Sequence, residues 1–251
     1  MTLELYHWEP VADSAKLLIL LEEKGLEYKS HYIDVLKFEQ YSDEHLRRSA
    51  MARVPVLVAE GENLDMAKIT MDYLVEAYSP RMASDDPRGW YEVQAWANVL
   101  DAGLRTNVSL LGWNSVMWPT MSKAERAEFN EKYANRPVME RQAGWAEVWS
   151  DAEANEDQLE NARARIAETV EKMETALQDT GWLVGDVYSV ADMNAYALTY
   201  TLPRLTPRIV NEAKTPGMIE WLYRIDERPA VKRVLARRRD ARTGDMYAPP
   251  A

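Results

Sequence analysis

Apolar positions change period several times over the first eighty residues. Leu3 and Leu5 alternate with polar neighbours through His7, the spacing of a short strand. Leu17, Leu18, Leu20 and Leu21 then fall on helical spacing within a segment running from Val11 to Lys24, and Gly25 stops it. Tyr28 to Ile33 predicts a second strand, which the intervening helix would make parallel to the first. A short helix is expected over Ser42 to Arg48. Val54-Pro55-Val56-Leu57-Val58 and Asn63-Leu64, placed around Glu60-Gly61-Glu62, predict a hairpin. Met66 to Tyr78 returns to helical spacing through Ile69, Tyr73 and Leu74, and Ser79-Pro80 ends it. The order βαβ, hairpin, helix fits one small mixed sheet flanked by helices.

Beyond Asp86 the spacing is helical throughout. Helices are expected over Pro87 to Leu111, Lys123 to Tyr133, Pro137 to Glu153, Glu156 to Thr180, Ala191 to Leu202 and Thr215 to Arg239. The stretch from Ser79 to Asp86 is rich in proline, serine and aspartate. The expected organisation is therefore an α/β domain over residues 1–80, a linker over 81–86 and an all-helical domain over 87–251.

Composition removes several classes of function. With 251 residues, 47% hydrophobic and 28% charged, the chain can bury a substantial core. A net charge of −11 repels phosphate backbones, so no nucleic-acid partner is expected. The basic run from Lys232 to Arg239 reads as the last turns of a C-terminal helix, where cations complement the dipole. There is no cysteine, and His7, His31 and His45 lack helical metal-ligand spacing, so no metal site is expected. No apolar run approaches membrane-spanning length and the N-terminus lacks a leader pattern, so the expected location is the cytoplasm.

Two motifs say more. Arg53-Val54-Pro55-Val56 puts a proline at a strand start. Farther on, Gly185-Asp186-Val187-Tyr188-Ser189-Val190-Ala191-Asp192 sets Ser189 and Asp192 at N-cap and N3 spacing, so each side chain can satisfy a backbone donor at a helix start. Trp182-Leu183-Val184 precedes this box, and Thr215 to Trp221 and Arg228-Pro229-Ala230-Val231 follow it. In this setting the chain closely resembles the glutathione transferases, which implies a thioredoxin-like N-terminal domain followed by a helical C-terminal domain. Lys37 to Asp43, the insertion from Met121 to Trp149 and Glu212 to Gly217 look more narrowly like the bacterial β-etherases that cleave lignin-derived β-aryl ethers.

That resemblance implies a chemistry: a glutathione thiolate displaces a phenolate from the carbon β to an aryl ketone. The thiolate would be stabilised by a donor near the start of the first helix. Ser14 stands in the matching stretch and is the candidate, with helix capping as its competing role and Tyr6 as a fallback donor. Asp13 beside it disfavours a thiolate unless it is paired. Val54 and Pro55 match the loop whose cis proline exposes backbone to the cysteinyl part of glutathione. Where relatives hold the γ-glutamyl group with an acidic residue followed by serine, this chain has Met66-Ala67. Asp65, one place earlier, is expected to cap the helix; the alternative is a one-residue slip that lets Asp65 bind the ammonium, with Lys68 covering the carboxylate. Where relatives show Asn-Pro-x-Gly before the Val-Pro, this chain has Ser49-Ala50-Met51-Ala52-Arg53. Trp113, Trp118, Trp145 and Trp149 suggest an aromatic-substrate cavity, a helical core or a subunit interface.

The expectation is a transferase-like subunit of a glutathione-dependent β-etherase, its own glutathione site degenerate, paired with a homologous subunit or with itself. Glutathione would then be a co-substrate of the complex that this chain does not itself hold. An active enzyme using Ser14, and a non-enzymatic binding protein on the same fold, are the alternatives.

Overall fold

β1 (Leu3–His7) is flanked by β2 (Tyr28–Tyr32) on one side and β3 (Val56–Ala59) on the other, with β4 (Glu62–Leu64) at the far edge of a four-stranded sheet. The computed structural model behind this description covers residues 2–134 and 156–241. β1 runs parallel to β2, with Leu3 opposite Tyr28, and antiparallel to β3, with Tyr6 opposite Val56. The β3–β4 hairpin turns at Glu60 and Gly61, both at positive φ. β3 begins at Val56, two residues later than its apolar run, because Pro55 has no N–H to give the ladder.

α1 (Ala12–Glu23) buries Leu17, Leu18, Leu20 and Leu21 completely, and Gly25, at φ +64°, ends it in the left-handed region that glycine adopts without cost. α2 (Asp43–Leu46) is shorter than its spacing predicts and is capped by the Ser42 hydroxyl, which accepts the His45 N–H at 3.3 Å. α3 (Ala67–Ala77) buries Met71, Leu74 and Val75.

Among the described residues after α3 the regular elements are helices, as expected, with different breaks. α4 (Pro87–Leu100), α5 (Thr106–Gly112) and α6 (Trp118–Thr120) are joined by wide π-helical turns, so helical structure continues past the predicted end at Leu111. α7 is Lys123–Ala134 and α8 is Glu156–Thr180; α9 (Val190–Thr199) and α10 (Leu202–Leu205) follow. The helix predicted from Thr215 to Arg239 is two, α11 (Pro216–Asp226) and α12 (Pro229–Leu235). Pro229 forces Arg228 into an extended conformation, which breaks the run. The predicted helix from Pro137 to Glu153 lies outside the described residues.

The chain packs as two compact units. The first takes in residues 1–97, 180–198 and 221–239. Within it α1 lies between α3 and α12, and Glu22 and Glu23 face the arginines of the C-terminal run. Arg228 grips Glu23 through two nitrogens, at 2.5 and 2.9 Å, and Arg233 meets Glu22 at 2.9 Å. α12 ends at Leu235, so Arg237 and Arg239 are not part of its last turn as the basic run suggested. Instead Arg237 pairs with Glu22, and the Arg239 N–H donates to the fully buried Glu9 at 3.0 Å.

The second unit takes in residues 98–179, 199–220 and 240–251. Its described core includes Leu104, Leu110, Ile166, Val170, Met173 and Met218. A Cβ on Gly103 would lie 1.9 Å from Thr169 Oγ1, so only glycine permits this approach to α8. Glu174 accepts the Gly217 and Met218 N–H groups at 3.0 and 2.8 Å, giving the start of α11 the carboxylate its dipole favours.

Candidate functional site

The ends of β1 and β3 that carry Trp8 and Val54 share one edge of the sheet in the first unit, because the strands are antiparallel. The stretch after β1 holds Ser14. Its hydroxyl is buried in the first turn of α1 and accepts the Trp8 N–H at 3.2 Å. The Trp8 carbonyl is bound in turn by His7 Nδ1, while His7 Nε2 faces Ser30 Oγ at 2.7 Å. His7 is 4% exposed, and burial drives its pKa down to about 4, so the ring is neutral at physiological pH. Asp13 is paired with Lys16 at 2.9 Å, which removes the objection to a carboxylate beside Ser14.

The stretch before β3 is held by the same device. The Arg53 N–H donates to Ser49 Oγ at 3.0 Å, and His45 Nε2 donates to the Arg53 carbonyl at 2.8 Å. His45 is buried, and burial lowers its pKa as well. The Val54–Pro55 bond is cis. Ala52 sits at φ +52°, at the place where relatives of the resembled family carry glycine, so its Cβ is strained.

The start of α3 departs from expectation. Asp65 does not cap the helix: the N-cap residue is Met66, with no side-chain hydrogen bond. The Asp65 carboxylate is drawn away by the Ser49 hydroxyl, which donates to it at 2.7 Å, and by the Arg53 guanidinium at 4.0 Å. Lys68 is bound to Asp72 at 2.8 Å and to Gln94. Met66 is 49% exposed and Ala67 is buried. Neither side chain carries a charge or a donor, and the Met66 thioether is only a weak acceptor. Charge therefore gathers around Asp65 and Lys68, but both groups are engaged by neighbours.

The other sequence candidates divide. The Tyr6 ring stacks on His31 at 4.3 Å and lies 4.1 Å under the Arg48 guanidinium, which suits packing. Ser189 and Asp192 form their box: Asp192 Oδ2 accepts from the Ser189 N–H at 3.0 Å and its hydroxyl at 3.1 Å, and Asp192 Oδ1 accepts from Leu183 N–H at 3.0 Å and Trp221 Nε1 at 2.9 Å. Trp113 and Trp118 are buried in the second unit, whereas Trp145 and Trp149 lie outside the described residues. Among the described residues, no cluster of histidine and acidic side chains could hold a metal ion. No described helix is long and apolar enough to cross a membrane.

Sequence reasoning missed His7, His45 and Ser49 as the groups that hold these loops. In the sequence the two histidines read only as candidate metal ligands. The usable signal was a lone histidine or serine within a turn of a candidate loop, where a buried backbone group needs a partner.

A β2-β1-β3-β4 sheet with β1 parallel to β2, antiparallel to β3, and a cis proline just before β3 is a thioredoxin-like arrangement. Residues 1–76 match the glutathione S-transferase N-terminal domain and residues 118–229 the glutathione S-transferase C-terminal domain. Protein LigF of Sphingobium sp. strain SYK-6 is 31% identical over 239 residues, covering 92% of each chain. The crystal structure of β-etherase LigF from that organism superposes with a TM-score of 0.82 at 29% identity, over 95% of this chain and all of that one. A glutathione transferase from Phanerochaete chrysosporium, solved with oxidized glutathione, shares the fold at 19% identity with a TM-score of 0.73, over 97% of this chain and 96% of that one. The chain belongs to the glutathione S-transferase family and resembles its β-etherases.

Proposed function

We propose that the chain is the transferase-like subunit of a glutathione-dependent enzyme that cleaves β-aryl ethers of lignin-derived aromatics, with its own glutathione site degenerate. One observation carries this reading: α3 starts with an exposed Met66 and an apolar Ala67, while the nearest acid, Asp65, is engaged by Ser49 and Arg53. The likeness to LigF supports the etherase branch. A homologous chain with an intact pocket would then carry the thiol chemistry, in the cytoplasm, while this chain completes the assembly. Glutathione is a co-substrate of that complex and is not held here.

Titration of glutathione against the emission of the nine tryptophans tests the reading. No saturable change is expected at millimolar ligand, and saturation at micromolar concentration sinks it. Co-expression with a homologous chain is expected to yield a 1:1 complex that cleaves an aryl ether. A stable, fully active homodimer overturns the pairing.

Three observations favour a second reading, an active enzyme using Ser14. The Ser14 hydroxyl is oriented by the Trp8 N–H, Asp13 is paired with Lys16, and the first turn of α3 has no side-chain cap competing for a ligand carboxylate. Ether cleavage by the isolated chain that vanishes in Ser14→Ala would establish it.

A further inference from the structure

The segment that follows α12 runs beside β2 and ends on the loop between β1 and α1, all within the first unit. Arg237 binds Glu22 of α1 and the Tyr28 hydroxyl at the start of β2. The Arg239 N–H donates to both carboxylate oxygens of Glu9, at 3.0 and 3.2 Å, and its guanidinium lies 4.3 Å over the ring of Tyr32, the last residue of β2. Tyr32 in turn donates its hydroxyl to Glu9 at 2.6 Å. Glu9 is fully buried, so its carboxylate depends on donors that the protein itself supplies. Residues 237–239 thus form a strap from α1 across β2 to the loop of residues 8–11.

His7 packs against the same tyrosine. Its ring meets Tyr32 edge to face, with centroids 6.3 Å apart and planes at 89°. The Trp8 carbonyl can only accept, so Nδ1 carries the proton of the neutral ring and Nε2 accepts from the Ser30 hydroxyl at 2.7 Å. A second proton must go to Nε2. The charged and titratable groups around ring and strap are Glu9 on the loop, Glu22 on α1, Tyr28, His31 and Tyr32 on β2, and Arg237 and Arg239 on the strap itself. Burial opposes a charge on the ring most strongly; the Trp8 carbonyl favours one, and Arg237, Arg239 and His31 repel it. Protonation therefore sets a second cation against Tyr32, beside Arg239. Lifting the strap takes both arginines away and relieves that repulsion.

We propose that residues 237–239 are a strap held shut while His7 is neutral and released when His7 takes a proton, which frees the loop of residues 8–11. The inference goes beyond the glutathione reading and does not depend on it. The open form binds the proton more readily, so falling pH favours opening. His7 titrates at about 4 in the closed form and at no more than about 6.5 in the open one, so the step from pH 7 to 5 lowers the closed-to-open ratio by up to about 20-fold.

Hydrogen exchange of the full chain, or of its complex if it purifies only with a partner, reads the opening at the Arg239 amide once the intrinsic pH dependence of exchange is removed. From pH 7 to 5 its protection is expected to fall by about tenfold or more, while the amides of α9 keep theirs. Unchanged protection at Arg239 overturns the proposal, and so does an equal loss in α9, which is general unfolding. His7→Gln keeps a donor for the Trp8 carbonyl and is expected to abolish the loss at Arg239; a loss as large as in the parent chain overturns the proposal. Glu9→Gln is expected to leave the pH dependence in place, and its disappearance there assigns the switch to Glu9 instead. Arg239→Gln changes an exposed residue, so its fold should hold even where the buried variants do not. In it the His7 imidazole, followed by NMR, is expected to titrate at a higher pH than in the parent chain, and an unmoved midpoint overturns the link between strap and histidine.

Discussion

Two helix starts in the first unit meet the same electrostatic demand in opposite ways. At α9 the chain supplies everything: Asp192 is fully buried and accepts four hydrogen bonds, tying Ser189, Leu183 and Trp221 to the helix start. At α3 it supplies nothing, since Met66 makes no cap and Asp65, the nearest acid, turns toward Ser49. A start filled by its own side chains is a folding element. A start with no side-chain cap leaves its first amide groups to water or a ligand, and here the flanking Met66 and Ala67 side chains are apolar.

The comparison predicts a graded series of effects. Asp192→Ala has the largest: three buried partners lose their acceptor, and a loss of about 3–5 kcal/mol is expected in urea unfolding. A cost below about 1 kcal/mol would show that the box is not the folding element we describe.

Acidification comes next, acting through His7 at the end of β1. His7 titrates near pH 4 in the fold and at about 6.5 unfolded, so between these values the unfolded chain binds more protons. Stability therefore falls as pH drops from 6.5 to 4, by about 3 kcal/mol at most from this residue. Unfolding midpoints across that window, compared with a His7→Gln variant, read the slope. An equal slope in the variant removes His7 as its source.

Ser49→Ala strips the acceptor from the Arg53 N–H and the donor from Asp65, for an expected cost of about 1–2 kcal/mol. Hydrogen exchange at residues 50–55 should quicken, while residues 183–193 stay protected. Uniform quickening would break the contrast between the two sites.

Smallest is Ala52→Gly, which relieves a left-handed alanine at φ +52°. A net gain of up to about 1 kcal/mol is expected, because glycine's greater freedom in the unfolded chain offsets part of the relief. No gain in the urea midpoint would mean the Ala52 conformation carries no strain.

Much of this could be read from residue spacing. The strand, helix, strand opening, the hairpin and the α9 box are local patterns whose partners lie within a few residues, so periodicity and cap spacing reveal them. Ser189 and Asp192 are three positions apart, and their pairing needs nothing beyond one helical turn. Pro229 breaks the C-terminal helix for an equally local reason, although the apolar spacing on either side concealed it.

The candidate site was less legible because its decisive bonds join distant residues. Asp65 looks like a helix cap in a linear reading, and only the folded loop brings Ser49, sixteen residues earlier, within 2.7 Å to claim it. Asp13 looks like a misplaced charge until Lys16 is seen buried against it.

The sequence by itself determined the family, the α/β and helical order, the box at Ser189 and Asp192, and the missing acid and serine at Met66 and Ala67, since each is a matter of residue type at fixed spacing. The tertiary structure decided which polar groups are spoken for, as Asp65 is by Ser49 and Glu9 by Arg239. A hydrogen bond reaches about 3 Å, and only the folded chain says which groups come that close.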